Sequence, residues 1–157
     1  MSPKPIRVVF DSNIFIQYLL NPRGGAGHCL DALENKSADL FISKDLLNEI
    51  GDVTERPAIL ARLHDAEREL YTFIEYIKDI SILIHPVPKH FTFERDPKDE
   101  MIIDLAVSAE ADYIVSRDKD LLDLMTGFTN ACKDFRRRFR GLRVISPAEF
   151  LSVVEEG

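Results

Sequence analysis

The residues of this chain whose types and spacing could do chemistry are acids. Asp11 follows directly on the apolar run Val8-Val9-Phe10, and Asp118 stands two residues past Ser116, where another apolar run ends. Glu49 lies six residues beyond Ser43, and Asp99 comes just after Asp96-Pro97. Carboxylates gathered in one place repel one another and are tolerated mainly where a cation compensates them. A set of hard oxygen donors without His or Cys suits Mg²⁺ or Mn²⁺ rather than Zn²⁺. The four histidines, His28, His64, His85 and His90, show no HxxxH or HExxH spacing and read as surface or packing residues.

The elements that must position these acids are legible from periodicity. Apolar runs at Ile6 to Phe10, Leu40 to Ile42, Tyr113 to Ser116 and Leu142 to Ile145 predict buried strands, and Ile80 to Ile84 is a possible fifth. Helical spacing predicts helices over Ile14 to Leu20, His28 to Glu34, Lys44 to Val53, Ala58 to Ile77, Lys98 to Ala109 and Lys119 to Met125. Ser146-Pro147-Ala148-Glu149 combines a Ser cap, a Pro in the first turn and a Glu that closes a capping box, so a last helix should run from Pro147 to about Val153. Asn21 to Gly27, with its Pro and Gly residues, reads as a loop. Strands alternating with helices imply a parallel sheet covered on both faces. In such sheets ligands bind at the carboxyl ends of strands, near the point where strand order reverses. Asp11 and Asp118 belong to that edge; Glu49 borders the buried side of its helix, and Asp99 sits in a first turn where the helix dipole favours a carboxylate.

Each acid also has an ordinary reading. Asp11 could cap the helix at Ile14, Asp99 could be a first-turn acid beside Lys98, and Glu49 and Asp118 could be solvated charges in a chain with 27 acids. The conjunction at one sheet edge is what favours a site. Near alternatives stay open: Asp120 or Asp123 for Asp118, and Asp96 or Glu100 for Asp99.

A length of 157 residues and 45 % apolar content fit one domain, 1–157, with a core from Ile6 to about Val154. No apolar run approaches the roughly 20 residues of a membrane span, so the expectation is a cytoplasmic protein with no membrane contact. Cys29 and Cys132 show no CxxC pairing and read as small buried hydrophobes. The net charge of −7 argues against a general nucleic-acid coat protein. An acidic nuclease would rely on metal charge at the cleavage point and on a local basic patch elsewhere. Arg136, Arg137, Arg138 and Arg140 offer that patch; they are equally a solvated face with Phe135 and Phe139 packing inward.

These residues in this order resemble the PIN-domain family, and more narrowly its bacterial and archaeal toxin-antitoxin (VapC-like) branch. The opening Val8-Val9-Phe10-Asp11-Ser12-Asn13 looks like the family's first strand and D-[ST]-N signature. Ile42-Ser43 through Asn48-Glu49-Ile50, Arg95-Asp96-Pro97-Lys98-Asp99-Glu100, Ala111 to Leu122 and Val144 to Leu151 are similar to its later segments. The resemblance implies a three-layer α/β/α sandwich around a parallel sheet of four or five strands. It implies cleavage of single-stranded RNA with Mg²⁺ or Mn²⁺, a homodimer, and an antitoxin protein as partner. Carried over, Asp11, Glu49, Asp99 and Asp118 are catalytic and metal-binding, with Ser12, Asn13 and Asp120 in support. Metal at Asp11, Asp99 and Asp118 would activate a water for attack on the phosphodiester, and Glu49 would bind a second metal or position that water.

Three alternatives compete. A non-toxin RNA-processing nuclease and an inactive PIN-like binding module share the fold. A phosphotransfer enzyme with Asp11 as nucleophile needs a second Asp two residues on, where this chain has Asn13. The Gly-rich stretch from Arg23 to Gly27 lacks the GK[ST] of a nucleotide-binding loop.

Overall fold

Short β-branched and aromatic runs pair side by side in the computed structural model of the chain, which describes residues 4–156. In chain order the elements are β1 (Ile6–Phe10), α1 (Ser12–Leu20), α2 (Gly25–Glu34), β2 (Ala38–Ile42), α3 (Lys44–Thr54), α4 (Pro57–Leu60), α5 (Ala66–Ile80) and β3 (Ser81–Leu83). There follow α6 (Pro97–Ser108), β4 (Tyr113–Val115), α7 (Lys119–Leu122) with a 3₁₀ turn over Asp123–Met125, α8 (Asn130–Arg138), β5 (Arg143–Ile145) and α9 (Pro147–Glu156). All pairings are parallel, in the order β3-β2-β1-β4-β5. The architecture is the three-layer α/β/α sandwich with the five-stranded alternative.

That order places the reversal of winding between β1 and β4. The chain steps outward from β1 to β3 on one side, then returns to add β4 and β5 on the other. Where two neighbouring strands lead their connections to opposite sides, a crevice opens at their carboxyl ends. Val8, Val9, Phe10, Ile114 and Val115 are wholly buried there, as central parallel strands require. Phe10 meets Phe150 of α9 edge-on, with ring centroids 5.4 Å apart, and tilts against Phe15 of α1 at 6.0 Å. These contacts fix the end of β1, and with it Asp11.

The long connection from β3 to α6 is held by a second aromatic group. Phe91 packs edge-on against Phe135 and Phe139 at 5.6 and 5.9 Å, and Phe93 is buried beside it. Two α6 acids pin the same segment. Asp104 accepts from the His90 and Phe91 amides at 2.7 and 3.1 Å, and Glu100 accepts from the Phe93 amide at 2.8 Å. The entry into α6 is thereby set before Asp99 is reached.

Several elements differ from the sequence expectation. The helix expected over Ala58 to Ile77 is two, broken at 61–65. Pro57–Leu60 fully buries no residue and meets the core only through the partly buried Ile59, and Glu69 reaches back to accept from the Asp65 amide at 3.0 Å and starts α5 afresh. The Gly-rich loop is shorter than expected, because α2 begins at Gly25 and its Gly27 lies against the backbone of Pro22. Around the Arg cluster the chain is helical: Thr129 caps α8 by accepting from the Cys132 amide at 3.2 Å. The closing helix is as expected at its start, with Ser146 and Glu149 exchanging capping bonds of 3.2 Å, and runs on to Glu156. Both cysteines are free and buried.

A Cβ on Gly27 would lie 1.8 Å from the Pro22 carbonyl oxygen, whereas one on Gly25 meets nothing within 4 Å. Gly27→Ala should therefore cost about 1–3 kcal/mol or more in urea unfolding, as overpacking does, while Gly25→Ala is neutral or slightly stabilising. Equal effects of the two would contradict the close approach of α2 to the α1–α2 turn.

Candidate active site

The crevice at the winding reversal gathers acids from three connections. Phe10 of β1 is in register with Val115 of β4, so the next residues along, Asp11 and Ser116, stand side by side. Ser116 is fully buried and donates its hydroxyl to Asp11 Oδ2 at 2.7 Å; Asn13 Nδ2 donates to the same oxygen at 3.1 Å. The Ser12 amide donates to Oδ1 at 2.7 Å. The Ser116 oxygen also accepts from the Asp118 amide at 2.9 Å, which ties the β4 turn to the same point. Asp118 in turn caps α7, accepting from the Asp120 amide at 2.9 Å.

Asp99 arrives from the first turn of α6. Asp11 and Asp99 are each 5 % exposed, and Asp11, Asp99 and Asp118 each offer a carboxylate oxygen within 4.8 Å of the others. Asp99 Oδ2 is buried with no hydrogen-bond partner. An orphaned carboxyl oxygen in a buried site needs a partner, a proton or a cation, that the chain does not supply. The donor set, all carboxylate with hydroxyl support, is that of a hard divalent cation. The residues present thus fit such an ion.

Of the sequence-derived candidates, Asp11, Asp99 and Asp118 come together, and Ser12 and Asn13 both bond to Asp11. Glu49, half-buried on α3, does not lie within 4.8 Å of all three, yet it is near enough to raise the Asp11 pKa. Glu100 is turned away by its bond to Phe93 and by Lys89 at 3.4 Å, so it does not exchange with Asp99. Asp120 and Asp123 face Arg95, whose Nη2 is 2.6 and 3.1 Å from their carboxylates. Within the Arg cluster, Arg136 donates to the Leu124 and Gly127 carbonyls at 2.7 and 2.9 Å. Arg137 pairs with Asp134 at 2.7 Å, Arg138 donates to the His90 carbonyl at 2.7 Å, and Arg140 is exposed. Ser116 and Arg95 are absent from the sequence-derived set. The signal for Ser116 is the β1–β4 register, which no single run of sequence contains.

Burial pushes the Asp11 carboxyl up to about 6, against the opposing effect of its bonds to Ser116 and Ser12. It pushes Asp99 further, to about 8, with the charges of Asp118 and Asp11 adding to it.

A PIN-domain family model matches residues 7–120. An uncharacterised protein of the archaeon Methanocaldococcus jannaschii is 30 % identical over 151 residues, spanning 96 % of this chain and 93 % of that protein. The chain belongs to the PIN-domain family, whose members are generally metal-dependent nucleases. Among the described residues no helix is long and apolar enough to cross a membrane.

Because the folded carboxyls hold protons that the unfolded chain releases near 3.8, the metal-free fold binds extra protons up to about pH 8. Its stability should therefore fall as pH rises through that window. In thermal melts without metal, Tm should be lower at about pH 8 than at about pH 5, and Asp99→Asn should abolish most of that difference. Added Mn²⁺ should raise Tm more at the higher pH, since the ion competes with the proton. A wild-type Tm that rises with pH in the absence of metal would contradict the buried acid pair.

Proposed function

We propose that this PIN domain is an endoribonuclease that hydrolyses phosphodiesters of single-stranded RNA with Mg²⁺ or Mn²⁺ held by Asp11, Asp99 and Asp118. The observation that carries the reading is the unpartnered, buried Asp99 Oδ2 beside two further carboxylates at the β1–β4 crevice. A divalent ion bound there supplies Lewis-acid charge to the phosphate and lowers the pKa of a water.

The chain's own residues have separate tasks. Ser116, Asn13 and the Ser12 amide hold both Asp11 oxygens, so that carboxylate is oriented before any ligand arrives. Asp118 is fixed through the Ser116 hydroxyl and the Asp120 amide. Glu49, at the rim of the cluster, is suited to orient the attacking water. Arg140 is exposed and would meet backbone phosphates away from the cleavage point, and the exposed Arg137 and Arg138 could join it only in competition with Asp134.

The likeness to toxins of toxin-antitoxin pairs extends the proposal to a homodimer and an antitoxin that covers the acid crevice. A small DNA-binding-type protein encoded beside this chain would support that role, and its absence would favour a processing nuclease. Retention of every acid the family motif requires favours an active enzyme over an inactive binding module.

Asp11→Asn is nearly isosteric and should fold. It should lower cleavage of single-stranded RNA at least about 100-fold, beyond what loss of an outer-shell partner commonly costs. Cleavage at the wild-type rate by this variant, purified free of host nucleases, would remove the reading.

A further inference from the structure

A second group of acids lies beside the first. Asp96, Asp118 and Asp120 each offer a carboxylate oxygen within 4.8 Å of the others, and Asp118 belongs to both groups. The two groups differ in what faces them. Asp99 in the first has an orphaned oxygen, whereas Asp120 in the second meets the Arg95 guanidinium, with Nη2 2.6 Å from its Oδ1. The same nitrogen donates to Asp123 Oδ2 at 3.1 Å. Arg95 directly precedes Asp96, the cap of α6, and Asp123 begins the 3₁₀ turn after α7, so the guanidinium spans the two segments that carry Asp99 and Asp118.

We propose that Arg95 is the resident cation of this second acidic group: it holds Asp120 and Asp123 and leaves the Asp11–Asp99–Asp118 crevice to take a single divalent ion. The inference rests on the reading of that crevice as a cation site. A guanidinium remains charged throughout the working pH range, and here its Nη2 alone meets two carboxylates. A divalent ion at the second group would have to detach Asp120 from the Arg95 Nη2 and then sit within a few ångströms of a fixed positive charge. The ordered outcome is one bound ion and a water-positioning task for Glu49, with no second metal for it to hold. Arg95 is thus a positioning residue. It acts on the ion count and on Asp118 through the α7 turn, without itself touching the reacting phosphate.

The test is Mn²⁺ titration of the full chain by calorimetry at about pH 8, where fewer protons compete with the ion than at lower pH. Wild type should bind one ion per chain, and Arg95→Lys, which keeps the charge, should also bind one. Arg95→Met should bind two, and Arg95→Met combined with Asp120→Asn should return to one. Circular dichroism of each variant establishes that it is folded. A purely structural role for Arg95 would lower Tm without changing the count. Two ions on the wild type would overturn the proposal, and this arm needs no variant to fold. One ion on both wild type and folded Arg95→Met would overturn it as well, while leaving the crevice reading in place. No ion on the wild type would overturn the crevice reading itself, and the proposal with it.

Discussion

Two carboxylates about 4 Å apart repel by roughly 4 kcal/mol at the effective dielectric of a protein surface region, and burial raises the cost further. Asp11, Asp99 and Asp118 share a space of that scale, with two of them almost wholly buried. Everything around them can be understood as managing this repulsion. Asp11 receives donors from three residues, Asp118 receives one and caps a helix, and Asp99 stands in the first turn of α6, where the free amides offer partial positive charge. What remains uncompensated is concentrated on one Asp99 oxygen. The chain holds that charge in readiness for a cation and tolerates a proton there in the meantime.

The scaffold's contribution is to make this crowding reproducible. Parallel register sets Asp11 beside Ser116, within hydrogen-bond reach at 2.7 Å, and one hydroxyl then links the β1 and β4 connections. The third acid comes from a distant part of the sequence, after a long connection without regular structure. Its placement depends on buried Phe91 and Phe93 and on Glu100 and Asp104, which turn back to bond the amides of that connection. Acids one and five residues past Asp99 thus serve packing, and Asp99 alone of the three belongs to the crevice. Charge on the opposite side of the α7 turn is settled by Arg95.

Much of this could be read from sequence because it follows from strand ends. Asp11 and Asp118 were legible as acids at the carboxyl edge of buried parallel runs, and the five strands lie where the apolar runs predict. The choice of Asp99 over Glu100 was not legible, since a one-residue shift of the helix start exchanges them; the Phe93 amide makes the distinction. Nor was the grouping of Asp118 with Asp11 and Asp99 while Asp120 and Asp123 meet Arg95, an arginine more than 20 residues away in sequence. The break at 61–65 carries no Gly or Pro, and follows a four-residue α4 that fully buries no side chain. The distance of Glu49 from the other acids is a matter of how α3 sits on the sheet, which no local pattern encodes.

The central claim is that the orphaned Asp99 oxygen and its two neighbours form the cation site on which the chemistry depends. Anomalous diffraction from crystals of the protein grown with Mn²⁺ tests it most directly. The account predicts a peak bonded to Asp11, Asp99 and Asp118 at roughly 2.0–2.3 Å, the range of hard cation–carboxylate bonds. A fully occupied Mn²⁺ elsewhere on the protein, with these three carboxylates left without an ion, would contradict it.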